Sequence, residues 1–182
     1  EAIADITQTW GGSQTFHGPI LSIPCSVKNG DKVVITYCHL YPDELNISGQ
    51  VEPKERHRSI FKAILYKADL KISGSFSLDK MAAAGIDDSF RVHYEDAVLS
   101  VGLSDVRGAT QRISMKLNDQ EYFARPGIPL KNGLQKGFHF PVKIDSDQKK
   151  INFFANMGLR GSSDLQFVPA GQNTVIDLHS SW

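Results

Sequence analysis

The chain has 182 residues, 41% of them hydrophobic and 22% charged, which is enough for a buried core and unlike disordered, collagen-like or disulfide-scaffold proteins. Its 20 Lys and Arg balance its 20 Asp and Glu, so it lacks the excess positive charge that nucleic-acid binding requires. No stretch of the sequence approaches the roughly 18 apolar residues of a membrane-spanning helix.

The first residues carry the spacing of a short helix. Ala2, Ile3 and Ile6 recur at helical intervals before the first tryptophan, which predicts a helix over residues 2–9. The sequence begins with Glu1, and no basic and apolar signal segment precedes its first motif. We therefore expect the chain to be a piece of a longer protein.

The two cysteines flank a predicted β-hairpin. Asn29-Gly30 is a strong signal for a two-residue hairpin turn, and with these residues at its centre Cys25 would face Val34. Cys38 would then lie about 13 Å from Cys25 along the same face, which is too far for a disulfide. We expect both cysteines to be small buried residues, although a longer irregular loop would let them pair in an oxidising compartment.

Apolar and polar residues alternate over much of the remaining chain, as they do in half-buried strands. The alternating segments are residues 43–52, 69–79, 111–117, 138–144 and 151–159. Residues 60–68 fit a helix as well as a strand, and we prefer the strand because no Gly or Pro separates them from the alternation that follows.

Three places interrupt the alternation. Its parity switches at residues 95–96, which predicts a β-bulge, since one extra residue turns the later side chains to the other face. Asp79 is a candidate N-cap for a helical turn at residues 81–84 that ends at Gly85. Residues 145–147 begin like a calcium loop but continue with Gln and Lys, so we interpret them as an exposed hairpin turn.

About ten short strands separated by turns predict an all-β, mostly antiparallel fold. The expected architecture is a β-sandwich-like two-sheet domain with one or two short helices. We expect one domain over residues 1–182, with a soft boundary near 79–88, where the alternation lapses.

The sequence offers no recognisable catalytic or metal-binding motif. Residues 102–106 lack the second glycine of a nucleophile elbow, and no glycine-rich phosphate loop links a strand to a helix. The six histidines show neither the i, i+4 spacing nor the cysteine clustering of a zinc site, although ligands distant in sequence can still meet in space. We predict no catalytic residue, no metal and no cofactor, and hence a protein that is not an enzyme.

The most polar insertion into an apolar strand region is Ser104-Asp105-Val106-Arg107-Gly108. Asp105 and Arg107 point to the same side, close enough to pair with each other, and Gly108 allows a turn. Alternatively, Arg107 presents its guanidinium to a partner carboxylate or a lipid phosphate. We take Ser104, Asp105, Arg107 and Gly108, together with Trp10, as the candidate binding residues.

Several segments in this order resemble the CreD family of inner membrane proteins. They are residues 10–14 (WGGSQ), 18–24 (GPILSIP), 40–49 (LYPDELNISG), 58–63 (RSIFKA), 104–108 (SDVRG), 158–169 (GLRGSSDLQFVP), 171–174 (GQNT) and 180–182 (SSW). The resemblance covers nearly the whole chain and is poorest at residues 79–90, 118–136 and 145–150, which are typical of variable loops.

The resemblance implies one amino-terminal membrane helix, a large periplasmic segment and further membrane helices. This chain would be the first part of that periplasmic segment, attached to the membrane through helices outside it. The family further implies a role in cell-envelope integrity under a stress-responsive regulatory system, and it supplies no catalytic residue.

The favoured hypothesis is a non-enzymatic interaction or scaffolding module whose partners are envelope proteins or peptidoglycan and lipid components, with no role for nucleic acid. The alternative is a carbohydrate- or lipid-binding module that uses exposed aromatic residues. Its candidates are Trp10, Tyr37, Tyr41, Tyr66, Tyr94 and Tyr122. A hydrolase ranks third and would need a His within hydrogen-bond reach of an activated Ser or of a carboxylate.

Overall fold

The computed structural model describes residues 10–58 and 61–181, which form two β-sheets. The first sheet comprises β1 (Gln14–Asn29), β2 (Lys32–Leu40), β5 (Arg91–Val92), β6 (Ala97–Leu103), β9 (Arg125–Pro126), β10 (Gly137–Val142) and β12 (Leu165–Val168). The second comprises β3 (Glu44–Arg58), β4 (Phe61–Ser77), β7 (Ser114–Leu117), β8 (Gln120–Phe123), β11 (Lys150–Ser162) and β13 (Asn173–Ser180). The helical turn α1 (Lys80–Ala83) lies between β4 and β5, the 3₁₀ turn η1 (Tyr94–Asp96) between β5 and β6, and the 3₁₀ turn η2 (Val106–Gly108) between β6 and β7.

The strands run mostly antiparallel. The first sheet has the order β12-β1-β6-β10-β9, and both β2 and β5 pair with β1; the second has the order β13-β3-β4-β11-β7-β8. The parallel pairs are β1 with β12 and β3 with β13, at one edge of each sheet. This architecture confirms the prediction of an all-β, mostly antiparallel two-sheet domain with little helix.

The two sheets share one hydrophobic core, to which both contribute their apolar faces. In β4 the even-numbered Leu70, Ile72 and Phe76 are buried, as the alternation predicts, and the ring of Phe76 lies 5.1 Å from that of Phe153 in β11. Burying a side chain of this size contributes about 1.5–3 kcal/mol, so alternation along a few long strands supplies much of the stability.

The hairpin of β1 and β2 forms, but one residue later than predicted. Asn29 pairs with Lys32, so the loop is Gly30-Asp31, and Gly30 takes the positive φ of 63°. Cys38 consequently lies opposite Ile23, diagonally across from Cys25, rather than about 13 Å away along the strand.

Both cysteines are free and buried, as expected. Burial, with a smaller contribution from Cys25, raises the pKa of the Cys38 thiol to about 11. It also raises the pKa of Cys25.

Other local predictions have mixed outcomes. Residues 61–68 belong to a strand, as preferred, but the parity switch at residues 95–96 is the 3₁₀ turn η1 between two strands rather than a bulge within one. The helical turn near residue 80 forms, and Gly85 has a positive φ of 85°, but the Asp79 side chain makes no capping hydrogen bond.

Two further predictions concern the ends of elements. The exposed turn at residues 145–147 joins β10 to β11, which belong to different sheets, so it is not a hairpin turn. The predicted helix at residues 2–9 lies outside the described residues. In the described range, no helix has the length and hydropathy needed to cross a membrane.

Candidate functional site

Three segments that the sequence analysis singled out meet at one end of the two sheets. Residues 10–14 lead into β1, residues 104–108 follow β6 and include η2, and residues 160–164 form the end of β11 and its connection to β12. The meeting follows from the topology, because β1 pairs with both β6 and β12. Backbone hydrogen bonds from Ser162 to Gly12 and from Gln14 to Asp164 close it. We call these three segments the polar junction.

The side chain of Gln14 lies at the centre of the polar junction and is fully buried. Its Nε2 donates to the carbonyl oxygens of Asp105 (2.9 Å) and Arg160 (3.1 Å), and its Oε1 accepts from the Asp105 backbone N–H (3.3 Å). The amide therefore supplies partners for backbone groups that have left the β-ladders, which a buried loop needs in order to be stable.

Asp105 organises the η2 turn. Its carboxylate accepts hydrogen bonds from the backbone N–H groups of Gly12 (3.0 Å) and Arg107 (3.1 Å). The Arg107 guanidinium adds a two-pronged contact through Nε (2.9 Å) and Nη2 (2.8 Å). These hydrogen bonds, that of the guanidinium foremost, hold the pKa of Asp105 well below its usual range. In this structure the guanidinium thus pairs with Asp105 of its own turn.

The remaining candidate residues also contribute contacts within the polar junction. The Ser104 hydroxyl donates to the Ser13 carbonyl (2.8 Å) and accepts from the Thr15 N–H (2.9 Å), which ties β6 to β1. Gly108 is buried, and a Cβ at this position would overlap Gln14 Nε2 and the Arg160 carbonyl oxygen. Glycine is therefore required there for close packing.

Trp10 closes the side of the polar junction next to the second sheet. Its indole N–H donates to the Tyr66 carbonyl (3.2 Å), and the Arg160 guanidinium carbon lies 5.4 Å from its ring. The Tyr66 hydroxyl donates to the Asp164 carbonyl (2.7 Å), and burial raises the pKa of this phenol. The structure therefore places Trp10 in the same hydrogen-bonded assembly as the four candidates of residues 104–108.

Two adjoining clefts lie against the polar junction. The Arg107 cleft, of about 510 Å³, is lined by residues 104–107 together with Gly127 and residues 135–137. The His17 cleft, of about 360 Å³, is lined by His17, Thr15, residues 102–104 and residues 133–136. Ser104, Gln135 and Lys136 line both clefts, which therefore form one continuous surface.

The sequence analysis missed the second wall of these clefts. Residues 133–136 fall in the stretch 118–136, which is typical of a variable loop, yet Leu134 is buried and packs against Gly102. The exposed Lys136 gives the surface a positive charge beside Arg107. In the sequence, the available signal was a leucine between turn-forming glycines. This signal does not tell which strand the loop covers.

A larger cleft, of about 650 Å³, lies between the β7–β8 hairpin and residues 143–148. The Tyr122 hydroxyl bridges it by accepting from the Lys143 N–H (3.3 Å) and donating to the Lys143 carbonyl (3.1 Å). Its lining contains no histidine or cysteine, and Tyr122 is the one aromatic candidate in it.

Two serine–histidine pairs meet the hydrogen-bond condition set above for a hydrolase: Ser22 with His39, and the half-buried Ser26 with the half-buried His93, whose Nε2 lies 2.9 Å from Ser26 Oγ. Ser22 Oγ lies 2.8 Å from His39 Nδ1, and burial lowers the pKa of His39. Ser22 is fully buried in the middle of β1, and neither residue lines any of the three clefts. A substrate cannot reach Ser22 in the structure, and its hydrogen bond to His39 satisfies a buried hydroxyl. Ser26 and His93 are half-buried and also line none of the three clefts, so neither pair gives a positive indication of catalysis.

A family profile and a curated relative both match this chain, and both carry the same family description. A family profile described as "Inner membrane protein CreD" matches residues 1–182. The chain is 29% identical, over 187 aligned residues, to the inner membrane protein CreD of Escherichia coli (strain K12). The alignment covers 97% of this chain and 40% of that protein, so the chain spans about two fifths of the relative's length. No solved structure matches significantly.

Proposed function

This chain belongs to the CreD family of inner membrane proteins, and from that membership we propose that it is a periplasmic part of a multi-pass membrane protein that acts as a non-enzymatic interaction or scaffolding module. Its partners would be components of the cell envelope, and its role would be to maintain the envelope under stress. The membrane attachment would come from helices outside the 182 residues.

The observation that carries the proposal is the cleft surface built on the polar junction. Gln14 and Asp105 hold the backbone of residues 104–107 through hydrogen bonds at several points, so one wall of the surface is fixed before a partner arrives. A preformed surface binds more tightly because less conformational entropy is lost on binding. The same surface contains no serine paired with a histidine, which supports binding rather than turnover.

The charge of the surface indicates what the partner presents. Lys136 and Arg107 are exposed at the clefts, and the Asp105 carboxylate neutralises only Arg107. Lys136 is therefore the cation available to a partner, and an acidic side chain or terminal carboxylate of an envelope protein is its natural counterpart.

In vivo photo-crosslinking from the cleft tests this proposal. A photoreactive amino acid at Gln135 or Lys136 of the complete protein should capture a discrete envelope protein. The same residue at Lys116, on the exposed face of β7, should not. Identical products from both positions, or no product from correctly inserted protein, would contradict it. Turnover of ester, peptide or glycoside substrates that a point substitution abolishes would contradict the non-enzymatic part.

The alternative, a carbohydrate- or lipid-binding module, would be favoured by three or more of its aromatic candidates exposed in one concave patch. Of the six candidates, Tyr37 and Tyr41 are 41% and 47% exposed, whereas Tyr66 is 4% exposed and Trp10, Tyr94 and Tyr122 are half-buried. The aromatic residues therefore give this alternative no specific support.

A further inference from the structure

The η1 turn gathers three side chains that can ligate a metal. One ring nitrogen of His93 and one carboxylate oxygen each from Glu95 and Asp96 lie within 4.8 Å of one another. From this geometry we propose that His93, Glu95 and Asp96 form a binding site for a divalent transition-metal cation. The site is separate from the proposed function, because none of the three residues lines the Arg107 or the His17 cleft.

The turn that carries the ligands is held in place by the strands around it. The His93 N–H donates to the Pro24 carbonyl of β1 (2.9 Å), and the Ile144 N–H donates to the Tyr94 carbonyl (3.1 Å). Within the turn, the Asp96 N–H donates to the His93 carbonyl (3.2 Å). The backbone of the ligand segment is therefore fixed from two sides, and a metal would have to order only the side chains.

A residue outside the ligand set orients the imidazole. Ser26 Oγ lies 2.9 Å from Nε2 of the half-buried His93. When Nε2–H donates to this hydroxyl, Nδ1 carries the lone pair, so we assign Nδ1 as the ligand nitrogen. Protein metal sites commonly hold the second nitrogen of a ligating histidine in this way.

The donor set identifies the class of metal. One imidazole nitrogen and two carboxylate oxygens suit Zn²⁺ and its transition-metal neighbours, whereas Ca²⁺ and Mg²⁺ prefer oxygen ligands alone. Zn²⁺ binds nitrogen and oxygen at about 2.0–2.2 Å, which puts two tetrahedral ligands about 3.4 Å apart. Glu95 and Asp96 are exposed, so rotation of their side chains can bring the ligand atoms, now within 4.8 Å of one another, to the shorter separation that the metal requires.

The position of the site suggests what a bound metal would do. The η1 turn connects β5 to β6, and both strands pair with β1. A metal that draws the three side chains together would hold this connection against β1 through Ser26. Zn²⁺ should therefore raise the melting temperature, since a ligand that binds the folded state stabilises it by mass action.

Zinc titration of the tag-free 182-residue chain by isothermal calorimetry, after removal of bound metal with a chelator, tests the proposal. We expect one saturable Zn²⁺ site, a rise in melting temperature, and neither effect with Mg²⁺. H93Q and the double variant E95Q/D96N should abolish the binding. S26A should weaken it by about tenfold or more, because it removes the group that orients the imidazole.

The matched control is H179Q. His179 Nε2 lies 3.6 Å from the Asp177 carboxylate, so this exposed pair offers a histidine and a carboxylate, and the described part of the chain supplies no third His, Cys, Asp or Glu ligand within 4.8 Å of both. Zn²⁺ binding should be unchanged in H179Q. Absence of saturable binding, or binding that survives both H93Q and E95Q/D96N, would overturn the proposal. Because Glu95 and Asp96 are exposed, E95Q/D96N keeps the test decisive if H93Q fails to fold.

Discussion

Replacing Gln14 with Leu should destabilise the domain strongly, although the new side chain is apolar and similar in size. Gln14 makes three hydrogen bonds to the backbone of Asp105 and Arg160 from a fully buried position. A buried N–H left without its partner costs about 1–3 kcal/mol, and each lost bond to a carbonyl about 1 kcal/mol. The expected loss is therefore about 3–5 kcal/mol, or a fall in melting temperature of about 6–20 °C for a chain of this length.

The assay is thermal unfolding by circular dichroism, together with urea unfolding to obtain the midpoint and its slope. Gln166→Leu is the matched control, because Gln166 is exposed on β12 beside the same stretch of β1. It should change stability by no more than about 0.5 kcal/mol. If Q14L unfolds at the same temperature as Q166L, the polar junction does not depend on the buried amide and our reasoning is wrong.

Three further outcomes follow from the same contacts. In D105N the stability deficit should be full at neutral pH and shrink as pH falls below about 4, because the stability that the lowered pKa of Asp105 contributes is complete above the unfolded-state pKa and is lost progressively below it; urea unfolding across pH checks this, and a pH-independent deficit would contradict it. Cys38, with a pKa of about 11, should resist iodoacetamide at pH 8 in the folded chain and react after unfolding, as mass spectrometry would show. Gly161→Ala should cost about 1–3 kcal/mol, because its Cβ would overlap the Tyr66 hydroxyl, whereas Gly12→Ala, with its nearest neighbour 3.7 Å away, should be nearly neutral in urea unfolding.

The strands could be predicted because their signal is local. Over residues 67–72 of β4 and 150–157 of β11, neighbouring residues alternate between the core and water, and the sequence shows this alternation directly. The hairpin register was less certain, because both Asn29-Gly30 and Gly30-Asp31 place a glycine where positive φ is needed. A shift of one residue in the loop moves the paired positions by two, which is why Cys38 lies closer to Cys25 than expected.

The candidate site illustrates a different limit. The polar junction was visible as separate motifs, but its bonds join residues 91 and 146 positions apart, from Gln14 to Asp105 and from Gln14 to Arg160. No local pattern encodes such pairing. The His93 cluster was missed for the opposite reason: its ligands lie within four consecutive residues, and the search for i, i+4 spacing passed over a 3₁₀ turn.

The geometry also distinguishes two roles for the motifs of the polar junction: supporting the fold and contacting a partner. Gln14 and Gly108 lie inside the hydrogen-bonded assembly, so substitutions there should lower stability and crosslinking together. Lys136 lies on the cleft surface and is exposed, so Lys136→Gln should leave the melting temperature unchanged and reduce the crosslink from Gln135. If K136Q leaves that crosslink intact while Q14L removes it in chains that remain folded, the motifs themselves, and not the cleft they support, would form the recognition surface.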